Sequence, residues 1–282
     1  MTSTIDLAAR LSLIVAAQQE FLAAVGDSAA LRDVIVRRTA EVTGGDGAVI
    51  EEVDGDEMVY RAASGAAAPH VGMRLPAKSS LSGHAVRERS VVRCDDVEKD
   101  PRVDAAACRR IGIRAMILAP LIRNGEAVGA LKTYSSTAGT FDDLDAYTVQ
   151  LLAGMASSAL MLSTELRERR ASEERYRLLF ERNVAGMFRT TRDGRILDCN
   201  DAFAGCLGYD SRQEVLGLQS WDLYFARADR EALLEKLQRE PAMTNVHLHL
   251  KRKDGTALEG VVNISVLAGD EAQLLGTLVK AE

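Results

Sequence analysis

Residues 140–180 read TFDDLDAYTVQLLAGMASSALMLSTELRERRASEERYRLLF, and how this stretch folds decides the organisation of everything on either side of it. It opens as a helix opens. Thr140 stands three places before Asp143, the spacing of a capping box, and Asp142, Asp143 and Asp145 put negative charge where the helix dipole favours it. No proline lies between Pro120 and Pro241 to force a break. Leu152, Met155, Ala159, Leu162, Leu166, Arg169, Glu173, Tyr176 and Phe180 recur at alternating 3- and 4-residue intervals, the spacing of a coiled-coil seam. Glu165 with Arg169, and Glu173 with Arg177, add support four residues apart in the favourable order. A helix of this length outruns a small domain. It is expected to leave one domain, pair with a copy of itself and enter the next, the alternative being two shorter helices with a loop near Arg170.

The rest of the chain agrees with two domains. Its 282 residues are 47% hydrophobic and 27% charged, as in ordinary globular proteins. The net charge of -6 disfavours general nucleic-acid binding. No apolar run approaches the roughly eighteen residues needed to cross a bilayer, and the start MTSTIDLAARL lacks the basic flank of a signal peptide. The cysteines, Cys94, Cys108, Cys199 and Cys206, show no Cys-x-x-Cys spacing and read as reduced thiols. A cytoplasmic location without membrane contact is expected.

Upstream, residues 5–25 carry apolar positions at helical spacing, and a second helix over 29–42 ends at Gly44-Gly45. Strands AVIEEV and MVYRAAS flank the turn Asp54-Gly55-Asp56, and AMILAPLI and AVGALKTYS flank Asn124-Gly125, the strongest short hairpin signal. SLSGHAVRER and DAAACRRIGI read as short helices. The pattern is an α+β domain, an antiparallel sheet with helices segregated to one side. Downstream, two short strands surround Arg192-Asp193-Gly194, short helices follow, DREALLEKLQRE is a clearer helix, and three strands finish the chain. His247 and His249 share one face of the first of these, with Val246, Leu248 and Leu250 directed inward.

Specific wording adds to these patterns. Ser80-x-x-Gly83-x-Ala85, the Asp96–Arg102 loop DVEKDPR, Gly112-Ile-Arg-Ala115, and the hairpin from Pro120 through Gly125 and Gly129 to Leu131 make residues 1–160 resemble a GAF domain. Tyr176-Arg177, Phe180-Glu181, the Asp193–Phe203 element DGRILDCNDAF, Leu207–Asp210, Asp229-Arg230 and Arg252–Gly255 make residues 173–280 resemble a PAS domain. The resemblance implies a GAF domain over 1–150, a connecting coiled-coil helix over 151–175 and a PAS domain over 176–282. It implies a GAF–PAS input module of a bacterial signalling protein such as a sensor histidine kinase or a cyclic-dinucleotide enzyme.

Residue by residue, cofactor signatures of both families are missing. Leu131-Lys132 stands where nucleotide-binding GAF domains carry Asn-Lys. Cys94 and Cys108 lack the following His of bilin-binding members, and Leu81-Ser82-Gly83 replaces the Val-Cys-Gly of the methionine sulfoxide reductases. The PAS half lacks the flavin-adduct cysteine run and a helix histidine for haem. No cofactor, no metal site and no catalytic residue are therefore expected. The PAS resemblance places Phe188, Asn200, Phe203, Tyr209 and Trp221 at a ligand pocket, with Asn200 also holding a helix start. Leu152, Met155, Ala159, Leu162, Leu166 and Tyr176 are the expected dimer and signalling-helix residues, and Cys94 and Cys108 the candidate redox thiols. Partners expected are a second copy of the chain, an unidentified small molecule and a downstream effector. Two rival readings are a small-molecule enzyme on the GAF pocket using one of those cysteines, and a ligand-free dimerisation unit.

Overall fold

The computed structural model describes residues 7–267 and 273–281. The chain forms two compact units, one up to Arg169 and one from Arg170.

In the first unit, α1 (Leu7–Ala24) leads to α2 (Ser28–Thr43). The Asp27 carboxylate accepts from the amides of Ala29 and Ala30, and Gly44 at φ 63° closes the helix in the left-handed conformation glycine allows. Then come β1 (Gly47–Asp54), β2 (Glu57–Ala63), β3 (Arg74–Pro76), α3 (Leu81–Glu88), β4 (Val92–Cys94), α4 (Ala105–Ile111), β5 (Ala115–Arg123) and β6 (Glu126–Ser135). The six strands form one antiparallel sheet in the order β3-β2-β1-β6-β5-β4. Asn124 and Gly125 both take positive φ at the β5–β6 turn, as an Asn-Gly hairpin demands.

Strand alternation divides this sheet's side chains between two cores. Ala48, Ile50, Ile117, Ala119 and Leu131 face α1, α2 and the long helix α5 (Asp143–Glu181). Val49, Tyr60, Met116, Leu118 and Tyr134 face the other way, under Leu81 and Ala85 of α3 and Ile111 of α4. Helices therefore cover both faces, against the one-sided arrangement expected. Short helices broken by loops show too little amphipathic periodicity to reveal the layer they form.

Helix α5 is uninterrupted through Arg170, but it starts from a different cap. The Asp142 and Asp145 carboxylates each accept the other's amide at 2.9 Å, whereas the Thr140 hydroxyl donates to the Thr137 carbonyl. Asp145 also accepts from Arg10 Nη1 at 2.7 Å in a buried ion pair that ties α1 to α5. Leu152, Ala153, Ala156 and Ala159 are buried in the first unit's core. By length and composition α1 and α5 are both long and apolar enough to cross a membrane, against the expectation that no apolar run approaches that length.

In the second unit, β7 (Gly186–Thr191) and β8 (Ile196–Cys199) precede α6 (Asp201–Cys206), α7 (Arg212–Leu216) and α8 (Arg227–Arg239). Strands β9 (Ala242–Lys251), β10 (Ala257–Leu267) and β11 (Gln273–Lys280) complete an antiparallel sheet in the order β8-β7-β11-β10-β9. Leu258, Val262 and Ile264 alternate along β10 and join Leu250, Leu274 and Leu278 beneath Phe203, Leu233 and Leu237 of the helices. His247 and His249 lie on the solvent side as expected.

Candidate functional site

A small cavity of about 50 Å³ opens on the α3–α4 side of the first sheet. Its walls are apolar, including Met73, Leu81, Ile111 and Met116, and its floor carries charge. The β1–β2 ladder shifts register between Ile50 and Glu51, which places Glu51 opposite Tyr60. Lys132 rises from β6 beside them. Its Nζ lies 2.6 Å from Glu51 Oε1 and donates to the Tyr60 hydroxyl at 2.6 Å, with all three residues almost wholly buried. Burial acts to lower the Lys132 pKa, but Glu51 and the Tyr60 oxygen outweigh it and the net direction is up. Burial pushes the Tyr60 phenol up to about 12. Glu51 Oε2 has no hydrogen-bond partner. An ion pair taken out of water costs several kcal/mol per ion, so a polar floor under apolar walls is weak as a device for stability and suited to recognising a polar group. Ser82 and Cys108 also line this cavity. Gly83 allows its wall to form, since a Cβ there would fall 1.9 Å from the Ala77 carbonyl oxygen.

The thiols are placed for packing. Cys94 is buried and Cys108 half-buried, and desolvation pushes both upward, Cys94 to about 12. That keeps the reactive thiolate scarce at neutral pH. Among the described residues no group of three His, Cys, Asp or Glu side chains is arranged to hold a metal ion. His84 sits within α3, whose start is capped by Ser80.

A second cavity of about 40 Å³ lies between the second sheet and its helices. Of the five residues expected at a pocket, Phe188 and Phe203 line it, their ring centroids 4.9 Å apart. Asn200, Tyr209 and Trp221 lie outside its lining. Asn200 is a fully buried structural bolt: its Oδ1 accepts from the amides of Met187 and Phe203, and its Nδ2 donates to the carbonyls of Phe180 and Ala185. Tyr209 sits at the core edge with Lys253 Nζ 5.9 Å from its ring centre. Trp221 packs over Gly194, where any side chain would meet the indole, and Arg227 stacks on its ring at 4.5 Å. Sequence reasoning missed Thr190, Ser220, Tyr224 and Arg230 at this cavity. The pairing of Asp229 with Arg230 was visible, but a charge in a helix's first turn reads as solvated.

The expected seam on α5 divides in two. Leu152 and Ala159 are buried in their own unit, while Met155 and Leu166 are half-buried against the same core. Leu162 of the expected seam is exposed, and with Leu144, Tyr147 and Leu151 it forms an apolar stripe on the surface of the helix. Helix α1 exposes a comparable stripe at Leu7, Leu11, Val15 and Leu22. From Arg167 to Leu179 every residue of α5 is exposed, Tyr176 among them.

Two family models match the chain: that of the GAF domain over residues 27–161 and that of the PAS domain over 184–279. No curated protein matches it. Among solved structures it is similar to the free methionine-R-sulfoxide reductase of Neisseria meningitidis, at 23% identity and a TM-score of 0.51 over 59% of this chain and 97% of that one. It is also similar to a GAF domain from a phosphoenolpyruvate-protein phosphotransferase of Coxiella burnetii, at 20% identity and 0.47 over 58% and 96%. A domain of a sensory box sensor histidine kinase/response regulator from Geobacter sulfurreducens matches at 24% and 0.33 over 38% and 92%.

Proposed function

We propose, from the premise that this chain carries a GAF domain followed by a PAS domain, that it is the cytoplasmic sensory input module of a signal-transduction protein, working as a homodimer. The observation that carries the reading is α5 itself. One helix runs from Asp143 to Glu181, and from Arg167 to Leu179 it has no side chain buried against its own chain. Most helix stability in proteins comes from packing, which this exposed stretch lacks within its own chain, and the exposed Tyr176, Leu178 and Leu179 are costly to leave wet. A second copy laid alongside, with the apolar stripes of α1 and α5 forming a four-helix contact, relieves both problems.

In this reading a ligand in either cavity favours one arrangement of the paired helices, and the helix passes that bias to an effector such as a kinase or a cyclic-dinucleotide enzyme. The effect needs only a few kcal/mol of difference between states. The module is read as non-catalytic, in keeping with thiols that burial holds protonated. Sedimentation of wild type against the double variant Leu151→Glu, Leu162→Glu tests the dimer. The wild type should be a dimer at tens of micromolar and the variant a monomer with both domains folded. A monomeric wild type, or a variant that stays dimeric, overturns this interface.

A further inference from the structure

The PAS cavity carries a buried cation with no direct carboxylate partner among the described residues. Arg230, in the first turn of α8, is 6% exposed and lines the cavity. Its Nη2 donates to the carbonyls of Thr191 and Arg192, both at 3.0 Å, and Trp221 lies 6.0 Å from its Cζ. Among the described residues no carboxylate reaches it within 4 Å, although buried guanidinium groups are ordinarily paired with one. A tether to the β7–β8 turn explains one nitrogen of the five-donor fork, and Asp193 and Glu231 act on the charge through space without forming an ion pair with it.

Beside it, the Ser220 hydroxyl is buried without a hydrogen-bond partner, while the same residue's amide is fixed at 2.6 Å from the Gly194 carbonyl. Thr190 and Tyr224 supply further hydroxyls, and burial pushes the Tyr224 phenol up to about 12, so it stays a donor. Among the described residues no Asp, Glu, His or Lys lines the cavity. The polar side chains there are hydrogen-bond donors round a cation, and the remaining walls, among them Leu233, Leu248, Leu250 and Leu274, are aliphatic or aromatic.

We infer that the PAS domain binds a short-chain aliphatic carboxylate, its head group on Arg230 and Ser220 and its tail among the leucines. A planar carboxylate matches the guanidinium fork, and two such hydrogen bonds are stronger than neutral ones. Inorganic phosphate brings a larger desolvation cost and nothing for the apolar walls to bind. The volume of about 40 Å³ limits the tail. Acids of about two to four carbons fit with little rearrangement, while longer ones require the half-buried Leu234 to turn aside. This assignment deepens the sensory reading, on which its role as a signal rests, but binding itself is independent of dimerisation.

The full chain is titrated with acetate, propionate, butyrate and hexanoate. The matched primary amides serve as uncharged controls, and sodium phosphate and chloride as controls for ionic strength. Unfolding is followed by fluorescence of Trp221, the sole tryptophan, which lies in this domain. At about 50 mM, roughly ten or more times the Kd that one ion pair and a short tail support, a short carboxylate should raise the midpoint and the controls should not. Ser220→Ala should fold at least as stably as wild type without ligand, since it removes an unpartnered group, yet bind carboxylate about tenfold more weakly. Arg230→Lys should weaken binding at least as much. A midpoint unmoved by every carboxylate, equal response to the amides, or undiminished binding by Ser220→Ala overturns the assignment. None of these outcomes bears on whether the chain dimerises, so sedimentation judges the sensory reading separately.

Discussion

Replacing Glu51 by Met strands a buried ammonium, and the size and pH dependence of the effect follow from the geometry. Lys132 Nζ and Glu51 Oε1 are 2.6 Å apart, with side chains 5% and 0% exposed. At an effective dielectric constant of about 20 their attraction is roughly 6 kcal/mol, set against desolvation of both ions. Losing one partner of such a pair costs about 3–5 kcal/mol. In wild type the folded Lys132 pKa lies above its ordinary value, because Glu51 and Tyr60 outweigh burial. That contribution is complete below the unfolded lysine value of about 10.4 and is lost as pH rises through the folded one. In Glu51→Met burial remains without the carboxylate, so the folded pKa drops below the unfolded value. Between the two, the unfolded chain holds the extra proton and stability rises with pH by up to about 1.4 kcal/mol per unit. The deficit against wild type should therefore be greatest near neutrality and shrink toward pH 10. Adding Lys132→Met should bring stability back to within about 1 kcal/mol of wild type or above it. Urea titrations followed by far-ultraviolet circular dichroism measure the loss, while Trp221, in the other unit, reports a transition that should not move. A single variant within about 1 kcal/mol of wild type, or a deficit flat with pH, would refute the reasoning.

Two further outcomes are expected. Phe203 is 4% exposed and packs on Phe188, so Phe203→Ala should destabilise the PAS domain by about 3–5 kcal/mol in a urea titration read by Trp221 fluorescence; less than about 1 kcal/mol would mean its site collapses without a cavity. Cys94, whose thiol burial pushes up to about 12, should label with iodoacetamide in the native chain at least about 100-fold more slowly than in urea, and labelling at comparable rates would restore it as a redox candidate.

Local chemistry made the elements legible. Gly44 after the last apolar turn and Asn124-Gly125 between alternating strands each act within a few residues, so their structural meaning could be read from the linear chain, whereas the helix-start role of Asn200 came from the PAS resemblance and its bonds to Phe180 and Ala185 only from the fold. Period-two alternation likewise sent Leu248 and Leu250 inward and His247 and His249 outward. Sequence spacing also favoured one helix through Arg170, and the structure decides for it against two shorter helices. Spacing could not say what that helix packs against, because an apolar residue every third or fourth place is required equally by a partner helix and by the domain's own core. Leu152 and Ala159 went to the core, Leu162 of the same seam stays exposed, and the rest of the exposed stripe lies a fraction of a turn away at Leu144, Tyr147 and Leu151. The charged floor of the first cavity was further out of reach, since Glu51, Tyr60 and Lys132 meet only through strand pairing and a register shift in one ladder. Arg230 is the same case from the other side. Residues 227–239 read as a charged surface helix, and only the packing of that helix against the sheet decides that one of its arginines is taken out of water.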